Sequence, residues 1–492
     1  MIRPLSTFSL SLTEVAGILG VEFESEIKIT GVTNKDSEAI AGDLFLAMPG
    51  ENAHGASFAE SAIQRGAVAV LTDAHGASMI VGAPVIVVED VRSAGAIVAS
   101  SLYKDPTRDL HSIGITGTNG KTTVTTLLYQ IFEAAGHESG LIGTVETRIG
   151  SEILPSSRTT PEAADLQALC AVMRERHLRH LVMEVSSHAL TLKRIKGSHF
   201  RFVGFTNLSQ DHLDFHGDMQ TYFEAKAKLF TDEYAECGYI NIDSEYGKKL
   251  ASQCEIPVVT IARTDKSATW HFSEIQTSLT GTKISIRGAD GILIDSSTKL
   301  FGAYNLDNLL MAIAIAHASG VSSTELATII PTLIGAPGRL EPILTGQEFT
   351  ALVDYAHSPD AVKNVLAAAR EFTSGRVIAV LGCGGDRDRS KRPLMGSALL
   401  EGSDVAIFTS DNPRSEDPSE ILKDMTGRLA LAESSQIIAD REQAIAYAVS
   451  QAKAGDTVLI LGKGHESGQE INGATTPFDD RIQLARAIEE RK

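Results

Sequence analysis

The chain has 492 residues, which is too long for one hydrophobic core and predicts about three domains at roughly 150 residues each. Its composition, 43% hydrophobic and 22% charged, is typical of a soluble globular protein, and its sequence contains no apolar run long enough to cross a membrane. The formal net charge of −18 argues against general nucleic-acid binding but is compatible with a local site for an anionic ligand. Four cysteines without CxxC spacing favour free thiols in a reducing compartment, and the first residues do not have the pattern of an export signal, so we expect a cytoplasmic protein.

Residues 1–108 are predicted to form a small α/β domain. A glycine turn at Gly42 leads into an apolar strand at residues 44–48, and a second apolar strand follows at residues 67–71. No catalytic constellation is visible in this part of the sequence. Pro106 is expected to separate this domain from the strand that follows.

Residues 109–336 contain the segment with the clearest chemistry. An apolar strand at 113–116 leads into Gly117-Thr118-Asn119-Gly120-Lys121-Thr122-Thr123, and apolar residues at helical spacing follow. Glycines between a strand and a helix let backbone N–H groups surround a phosphate, while the lysine reaches the β- and γ-phosphates and a threonine ligates Mg²⁺. Only two residues separate the glycines, fewer than in the usual Walker pattern, and an ordinary tight turn is the alternative interpretation.

Acidic and histidine side chains follow the next strands of the same domain. Glu184 lies near the end of an apolar strand that begins at His180, where it could ligate Mg²⁺ or pair with a buried Arg or Lys. Asp211, His212, Asp214 and His216 follow a later strand, and a metal site and a polar loop are equally compatible with them. Before these, Pro161 is predicted to occupy the first position of a helix.

Residues 337–492 are predicted to form a further α/β domain. Strands at 377–381, 405–409 and 458–461 each end in a polar loop, and alternation with helices implies a parallel sheet whose loops lie along one edge. These loops contain basic residues, including Arg387, Arg414 and Lys463, beside acidic ones such as Asp411 and Glu466. Such a mixture suits a small molecule with both ammonium and carboxylate groups.

Together these segments resemble the Mur ligases, the cytoplasmic ATP-dependent enzymes that add amino acids to the peptidoglycan precursor. The motifs occur in the family's order and span nearly the whole chain. The resemblance implies a three-domain α/β protein with a central P-loop-type parallel sheet and a C-terminal Rossmann-like domain. By resemblance, residues 1–108 bind the UDP-sugar, residues 109–336 bind ATP and residues 337–492 bind the amino acid. ATP and Mg²⁺ are the implied cofactors, and the implied substrates are UDP-N-acetylmuramoyl-L-alanyl-D-glutamate and meso-2,6-diaminopimelate. We expect a monomer with no nucleic-acid or membrane partner.

The resemblance also implies roles for individual residues. The implied cofactor-binding residues are Gly117, Thr118, Asn119, Gly120, Lys121, Thr122, Thr123, Asn305, Arg339, Asp354 and His357. The implied substrate-binding residues are Thr159, Thr160, Ser186, Arg194, Arg387, Asp411, Asn412, Pro413, Arg414, Gly462 and Glu466. Thr122, Glu184, His212 and Lys226 correspond to residues near the metal ions, and Lys121, Lys226 and His212 to catalytic positions. Lys226 falls where the family carries a carbamylated lysine (N6-carboxylysine).

Other functions remain open from the sequence. A lysine-adding Mur ligase or a folylpolyglutamate synthase-like ligase would share the nucleotide loop and the three-part layout. A nucleotide-binding regulator without turnover is an alternative from another class. Phosphate release that depends on both substrates would separate the ligase from the regulator.

Overall fold

The computed structural model describes residues 2–50, 52–156, 158–278 and 281–491. The chain divides into two compact units. Unit 1 comprises Met1–Phe272, Arg287–Ile292 and Asn308–Leu326, and unit 2 comprises Ser273–Ile286, Leu293–Asp307 and Ala327–Lys492. The domain boundaries expected at residues 108 and 336 stay predictions.

The N-terminal part of unit 1 contains a four-stranded parallel sheet in the order Gly31–Thr33, Asp43–Ala47, Ala69–Thr72, Val85–Val87. A two-stranded antiparallel pair, Leu10–Ser11 and Lys28–Ile29, lies outside that sheet. The helices of this part are Leu12–Leu19, Ala59–Gln64, Ala74–Ala77 and Val91–Leu102, with 3₁₀ turns at Asp36–Glu38 and Gly55–Phe58. The helix Val91–Leu102 packs on Ala163–Glu175 of the following part through small residues such as Ala94 and Ala168, so both parts share one core.

The rest of unit 1 is built on a larger sheet. Its strands lie in the order Glu152–Pro155, Glu146–Ile149, Ser139–Ile142, His180–Glu184, His111–Thr116, Phe200–Phe205, Ala235–Asn241, Val258–Ala262 and Trp270–Ser278. The strands from Ser139–Ile142 to Trp270–Ser278 run parallel, and the first two form an antiparallel edge. Residues 273–278 of the last of these strands belong to unit 2. Two further strands, Gly281–Arg287 and Leu293–Thr298, also belong to unit 2 apart from Arg287, and a 3₁₀ turn at Ala289–Gly291 of unit 1 lies between them in the chain.

Helices cover this sheet, as expected for parallel strands buried on both faces. The helices of this part of the chain are Pro106–Asp109, Lys121–Ala134, Ala163–Glu175, Ser187–Thr191, Leu213–His216, Met219–Ala227, Glu245–Gln253, Ala303–Ala318 and Ser323–Ile329, with a 3₁₀ turn at Lys228–Phe230. Residues 303–307 and 327–329 of the last two helices belong to unit 2, as does the 3₁₀ turn Ile330–Thr332. The prediction that Pro161 opens a helix is wrong. Glu162 is the N-cap in extended geometry (φ −65°, ψ 152°) and the helix begins at Ala163, which leaves Thr160 and Pro161 in the preceding loop.

Unit 2 contains a six-stranded sheet in the order Glu341–Pro342, Thr350–Asp354, Thr457–Leu461, Val377–Cys383, Val405–Ser410, Gln436–Ile437. All neighbours are parallel except the first pair. The helices Pro359–Phe372, Lys391–Gly402, Pro418–Thr426, Arg441–Gln451 and Asp480–Glu490 cover its two faces, and Gly468–Ile471 with Ala474–Pro477 forms a hairpin. Every residue of Val377–Cys383 is buried, which is the pattern of a central parallel strand.

The expected α/β class with parallel sheets is confirmed. In both units the predicted functional loops follow the carboxyl ends of parallel strands, where open α/β sheets place their ligands. Within the described part of the chain, no helix is long and apolar enough to span a membrane.

Candidate nucleotide, metal and amino-acid sites

The glycine loop of unit 1 joins the buried strand His111–Thr116 to the helix Lys121–Ala134. Gly117 has φ +146° and Gly120 has φ +91°, values that side-chain-bearing residues rarely adopt. A Cβ at Gly117 would overlap the hydroxyl of Thr206, and one at Gly120 would overlap the side chain of Asn308. The loop therefore requires glycine at both positions for its backbone conformation and for the space around it.

Neighbouring residues hold the loop in place. The Thr118 N–H donates to the backbone oxygen of Asn207 (2.9 Å), and the Asn119 N–H donates to the Asn207 side-chain oxygen (3.0 Å). Lys121 Nζ donates to the backbone oxygens of Gly117 (2.9 Å) and Thr118 (2.8 Å), so its ammonium group lies over the loop. This places a cation beside a helix N-terminus, as a phosphate site requires.

Glu184 is 1% exposed and lies at the carboxyl end of the strand His180–Glu184. Thr122 Oγ1 donates to its Oε2 (3.1 Å), and Thr144 donates twice, from its backbone N–H to Oε1 (2.7 Å) and from Oγ1 to Oε2 (3.1 Å). The partners of this carboxylate in the described part of the chain are thus hydroxyls and one amide, and the alternative of a buried Arg or Lys pair does not apply. Thr144 was not identified from the sequence.

This arrangement fits a divalent cation. A buried carboxylate next to the first hydroxyl of a phosphate-loop helix supplies the oxygen ligands that Mg²⁺ prefers, and a cation there would balance the charge of Glu184. The described residues contain no group of three His, Cys, Asp or Glu side chains arranged to hold a metal by themselves. A cation at this position would therefore need oxygens from Thr122 and from a bound phosphate in addition to Glu184.

His212 and Lys226 lie close to the loop in different environments. His212 has φ +52°, half of its side chain is exposed, and its Nε2 lies 3.5 Å from Asp211; partial burial lowers the pKa of the imidazole. Lys226 is 1% exposed on the helix Met219–Ala227, with Nζ donating to the Gly117 backbone oxygen (2.8 Å) and lying 4.5 Å from the centre of the Tyr222 ring. Burial lowers the pKa of the Lys226 amine well below its ordinary value, and the positive charge of Lys121 adds to the effect.

The predicted substrate residues of unit 1 form a connected group next to Glu184. Thr160 Oγ1 donates to the Glu184 backbone oxygen (2.9 Å) and accepts the Ser186 N–H (3.1 Å). The hydroxyl oxygens of Thr159 and Thr144 are 3.0 Å apart.

Arg194 lies at the edge of this group. It is 9% exposed, its Nε is 2.9 Å from Glu162 Oε1, and burial lowers the pKa of its guanidinium. Arg92 Nη1 donates to the other oxygen of Glu162 (3.3 Å), so one carboxylate lies between two arginines. The structure thus brings the predicted substrate residues together beside the predicted metal ligand.

Four predicted nucleotide residues remain, and three of them, Arg339, Asp354 and His357, lie close together in unit 2. Asp354 is 6% exposed and accepts the N–H groups of Leu340 and Ala356 (2.8 Å each); burial raises the pKa of its carboxyl, opposed by the charge of Arg339. The Arg339 guanidinium lies 5.0 Å from the centre of the Tyr355 ring.

The other two residues of this set are His357 and Asn305. His357 Nδ1 is 2.8 Å from the backbone oxygen of Tyr355, in the loop that follows the strand ending at Asp354. Asn305 is 1% exposed and donates from Nδ2 to the Phe301 backbone oxygen (2.9 Å).

The polar loops that end the unit 2 strands lie against one another. Asn412 Nδ2 donates to Glu466 Oε2 (2.8 Å), and the Gly385 N–H donates to the Asn412 backbone oxygen (2.9 Å). Gly462 has φ +113°, and a Cβ there would crowd the Asp411 carboxylate.

Arg414 belongs to the same group of loops. It has φ +49°, and its Nη1 donates to the Gly385 backbone oxygen (2.6 Å) while Nε lies 3.4 Å from Glu470. Pro413 packs against Gly385, and Arg387 is exposed in the loop after the first of these strands. All seven predicted amino-acid-binding residues are on these three loops.

Two parts of this region were missed or misjudged from the sequence. Lys463 is fully buried, so its amine cannot meet a ligand carboxylate at the surface. Arg441 and Asp480 form a fully buried pair behind the loops, with two hydrogen bonds of 2.7 Å. A Lys in a polar loop gives no signal of burial, and two residues 39 positions apart in different helices give no signal of pairing.

The fold and these sites define an α/β nucleotide-binding protein of the phosphate-loop type. Family models match three stretches of the chain: "Mur ligase family, catalytic domain" at residues 28–103, "Mur ligase middle domain" at residues 115–316 and "Mur ligase, glutamate ligase domain" at residues 338–464. The chain belongs to the Mur ligase family, which confirms the resemblance noted from the sequence.

Several relatives are similar over nearly the whole chain. The UDP-N-acetylmuramoyl-L-alanyl-D-glutamate–2,6-diaminopimelate ligase of Streptomyces coelicolor is 46% identical, with 99% of this chain and 98% of the relative covered. Enzymes of the same name from Geobacillus thermodenitrificans and Aquifex aeolicus are 43% and 41% identical, covering 92% and 97% of this chain and 93% and 97% of the relatives.

Solved structures agree with the fold. A structure of a UDP-N-acetylmuramoyl-L-alanyl-D-glutamate–2,6-diaminopimelate ligase matches with TM-score 0.73 and 32% identity, covering 98% of this chain and 99% of the other. A MurF ligase from Thermotoga maritima in complex with ADP matches with TM-score 0.64 and 16% identity, covering 94% and 98%. A folylpolyglutamate synthase from Mycobacterium tuberculosis matches with TM-score 0.59 and 18% identity, covering 75% and 91%. At these identities the last two show likeness of fold only.

Proposed function

We propose that this chain is an ATP-dependent amide ligase that joins meso-2,6-diaminopimelate to the D-glutamyl γ-carboxylate of UDP-N-acetylmuramoyl-L-alanyl-D-glutamate, with release of ADP and phosphate. The observation that carries the proposal is the match, at 46% identity and across 99% of this chain, to a relative named for that reaction. The mixed-charge loops of unit 2 support it, because diaminopimelate carries two ammonium and two carboxylate groups. A monomer in the cytoplasm is the expected state.

The chemistry needs positioning and charge neutralisation more than a protein nucleophile. The substrate γ-carboxylate attacks the γ-phosphorus of ATP, ADP leaves, and an acyl phosphate results. The diaminopimelate amine then attacks the acyl carbon, phosphate leaves, and the nitrogen loses a proton to give the amide. Lys121 and the N-terminus of its helix hold the phosphates, while Thr122 and Glu184 would hold Mg²⁺. When bound, Mg²⁺ would neutralise phosphate charge.

We further propose that Lys226 is carbamylated. Its amine is buried and its pKa is lowered, which increases the share of neutral amine, the form that attacks CO₂ to make a C–N bond with loss of one proton. The product is an anion, which would turn this position from cation to metal ligand. Lys226→Ala should lose turnover and regain part of it with added short carboxylates, and ¹³CO₂ should give a carbamate signal in the wild-type protein only. Normal turnover in Lys226→Ala would contradict this role.

The decisive assay is phosphate release from ATP with the UDP-dipeptide, with and without diaminopimelate, and with L-lysine in its place. Lysine lacks the distal carboxylate that Arg414 would bind, and loss of that charge-assisted contact should reduce kcat/KM for lysine by roughly 100-fold or more. Arg414→Lys should lose most of this preference, whereas Arg428→Lys, a change at an exposed arginine, should keep it. Preferential use of lysine would support the lysine-adding alternative, and release of phosphate with neither amino acid would contradict both.

A further inference from the structure

The amine of Lys463 is fully buried two residues after the strand Thr457–Leu461. Its Nζ donates to Asn412 Oδ1 (3.0 Å), Glu466 Oε2 (3.1 Å) and the Gly468 backbone oxygen (2.7 Å). An ammonium group has three protons, so these three acceptors satisfy it completely. Lys463 therefore has no donor left for a ligand.

The same contacts determine the orientation of the Asn412 amide. Its Oδ1 accepts from Lys463 Nζ and also from the Glu470 N–H (3.0 Å), whereas its Nδ2 donates to Glu466 Oε2 (2.8 Å). If the amide were flipped, its NH₂ group would face two donors, Lys463 Nζ and the Glu470 N–H, and its oxygen would face the acceptor Glu466 Oε2. The side chain has one favourable orientation.

Glu466 is fixed by this arrangement. Oε2 accepts from both Lys463 and Asn412, while Oε1 receives no hydrogen bond from any residue within the described ranges. The side chain is 33% exposed, so solvent reaches part of it although Oε2 is held by two donors. Oε1 is the oxygen left to accept a hydrogen bond from a bound ammonium group.

We propose that Lys463 is a positioning residue for amino-acid selection: through Asn412 and Glu466 it leaves Glu466 Oε1 as the acceptor for the distal ammonium group of the substrate. The inference rests on the proposed function, because it takes diaminopimelate as the amino acid. In this proposal Glu466 binds the distal ammonium group and Arg414 binds the distal carboxylate, so different residues recognise the two groups. A change at Lys463 should then alter the preference for substrates that carry the distal ammonium and leave the preference for the distal carboxylate unchanged.

Three amino acids separate these effects. 2-Aminopimelate keeps the distal carboxylate and lacks the distal ammonium, and lysine keeps the ammonium and lacks the carboxylate. Kd by calorimetry and KM and kcat by phosphate release should be measured for all three with wild type and Lys463→Met. We expect the preference for diaminopimelate over 2-aminopimelate to fall by about tenfold in Lys463→Met, and the preference over lysine to stay within about twofold. Lys423→Met, an exposed lysine 73% accessible, is the control and should change neither ratio.

A purely structural role for Lys463 would weaken the binding of all three amino acids to the same extent. The proposal would be overturned if Lys463→Met lost affinity equally for all three, or if both preference ratios stayed at their wild-type values.

Glu466→Gln gives a second test if Lys463→Met does not fold. Because Lys463 and Asn412 Nδ2 are both donors, they should hold the new amide oxygen on their side and turn its NH₂ toward the ligand ammonium. Glu466→Gln should then bind 2-aminopimelate at least as well as diaminopimelate, and a retained preference for diaminopimelate would contradict the proposal. If wild type binds diaminopimelate without releasing phosphate, the proposed function fails while the Kd ratios still test Lys463.

Discussion

Arg441 and Asp480 should make a large contribution to the stability of unit 2. Both side chains are fully buried, and the guanidinium donates from Nε and Nη2 to the two carboxylate oxygens at 2.7 Å. It also donates to the backbone oxygens of Ser410 (3.2 Å) and Leu461 (2.9 Å), the last residues of the two strands that flank Val377–Cys383 in the sheet. Asp480→Asn removes the negative charge and leaves the buried guanidinium uncompensated.

The free energy of unfolding should decrease by about 3–5 kcal/mol, because removing one member of a buried ion pair leaves the other charge buried without a compensating partner. For a unit of this size, that corresponds to a decrease in melting temperature of roughly 6–20 °C. Urea and thermal unfolding, followed by calorimetry to resolve the transition of unit 2, would measure it. Arg441→Met combined with Asp480→Leu should recover most of the stability, because no buried charge then remains.

Glu490→Gln is the matched control, because its partner Arg486 is 60% exposed and an ion pair between exposed side chains contributes little to stability. The strand ends held by Arg441 lead directly into Asp411 and Gly462, so Asp480→Asn should also raise KM for the amino acid more than KM for ATP. If Asp480→Asn is no more destabilising than Glu490→Gln, the assignment of the pair as a major stabilising contact is wrong.

Three further predictions concern unit 1. Gly117→Ala should abolish nucleotide binding, measured by calorimetry with ADP, because its Cβ would overlap the Thr206 hydroxyl and φ +146° disfavours alanine; binding within twofold of wild type would contradict this. Thr144→Val removes one hydroxyl donor to Glu184 and keeps the backbone N–H bond, so the Mg²⁺ concentration needed for half-maximal nucleotide binding should rise by roughly 10-fold or more, whereas Thr144→Ser should stay near wild type. Burial lowers the pKa of His180 to about 3 in the folded protein. Between pH 6.5 and about pH 3, His180 is therefore protonated in the unfolded state and neutral in the folded state. Stability should therefore decrease as the pH falls through this window, and His180→Phe should reduce the loss between pH 7.5 and pH 5 by about 2 kcal/mol in urea unfolding, with an unchanged loss refuting the argument.

Local patterns in the sequence determined the nucleotide loop and the places where ligands bind. A buried strand, two glycines, a lysine and an apolar helix at residues 113–131 specify a phosphate loop because the backbone conformation depends on neighbours in sequence. Alternation of strands and helices in residues 377–461 indicated parallel strands, and therefore polar loops on one edge. Both features needed only short-range periodicity.

Tertiary structure alone decided which charged side chains are buried and what they contact. Lys226 and Lys463 follow no sequence pattern that distinguishes them from solvated lysines. Lys226 is nevertheless only 1% exposed because the phosphate loop covers it, and Lys463 is 0% exposed because neighbouring loops of unit 2 cover it. Thr144 meets Glu184, and Arg441 meets Asp480, across 40 and 39 positions of sequence. Burial and pairing of this kind depend on how distant segments pack, and that packing both lowers the pKa of Lys226 and determines which acceptors in a binding pocket have no partner within the protein.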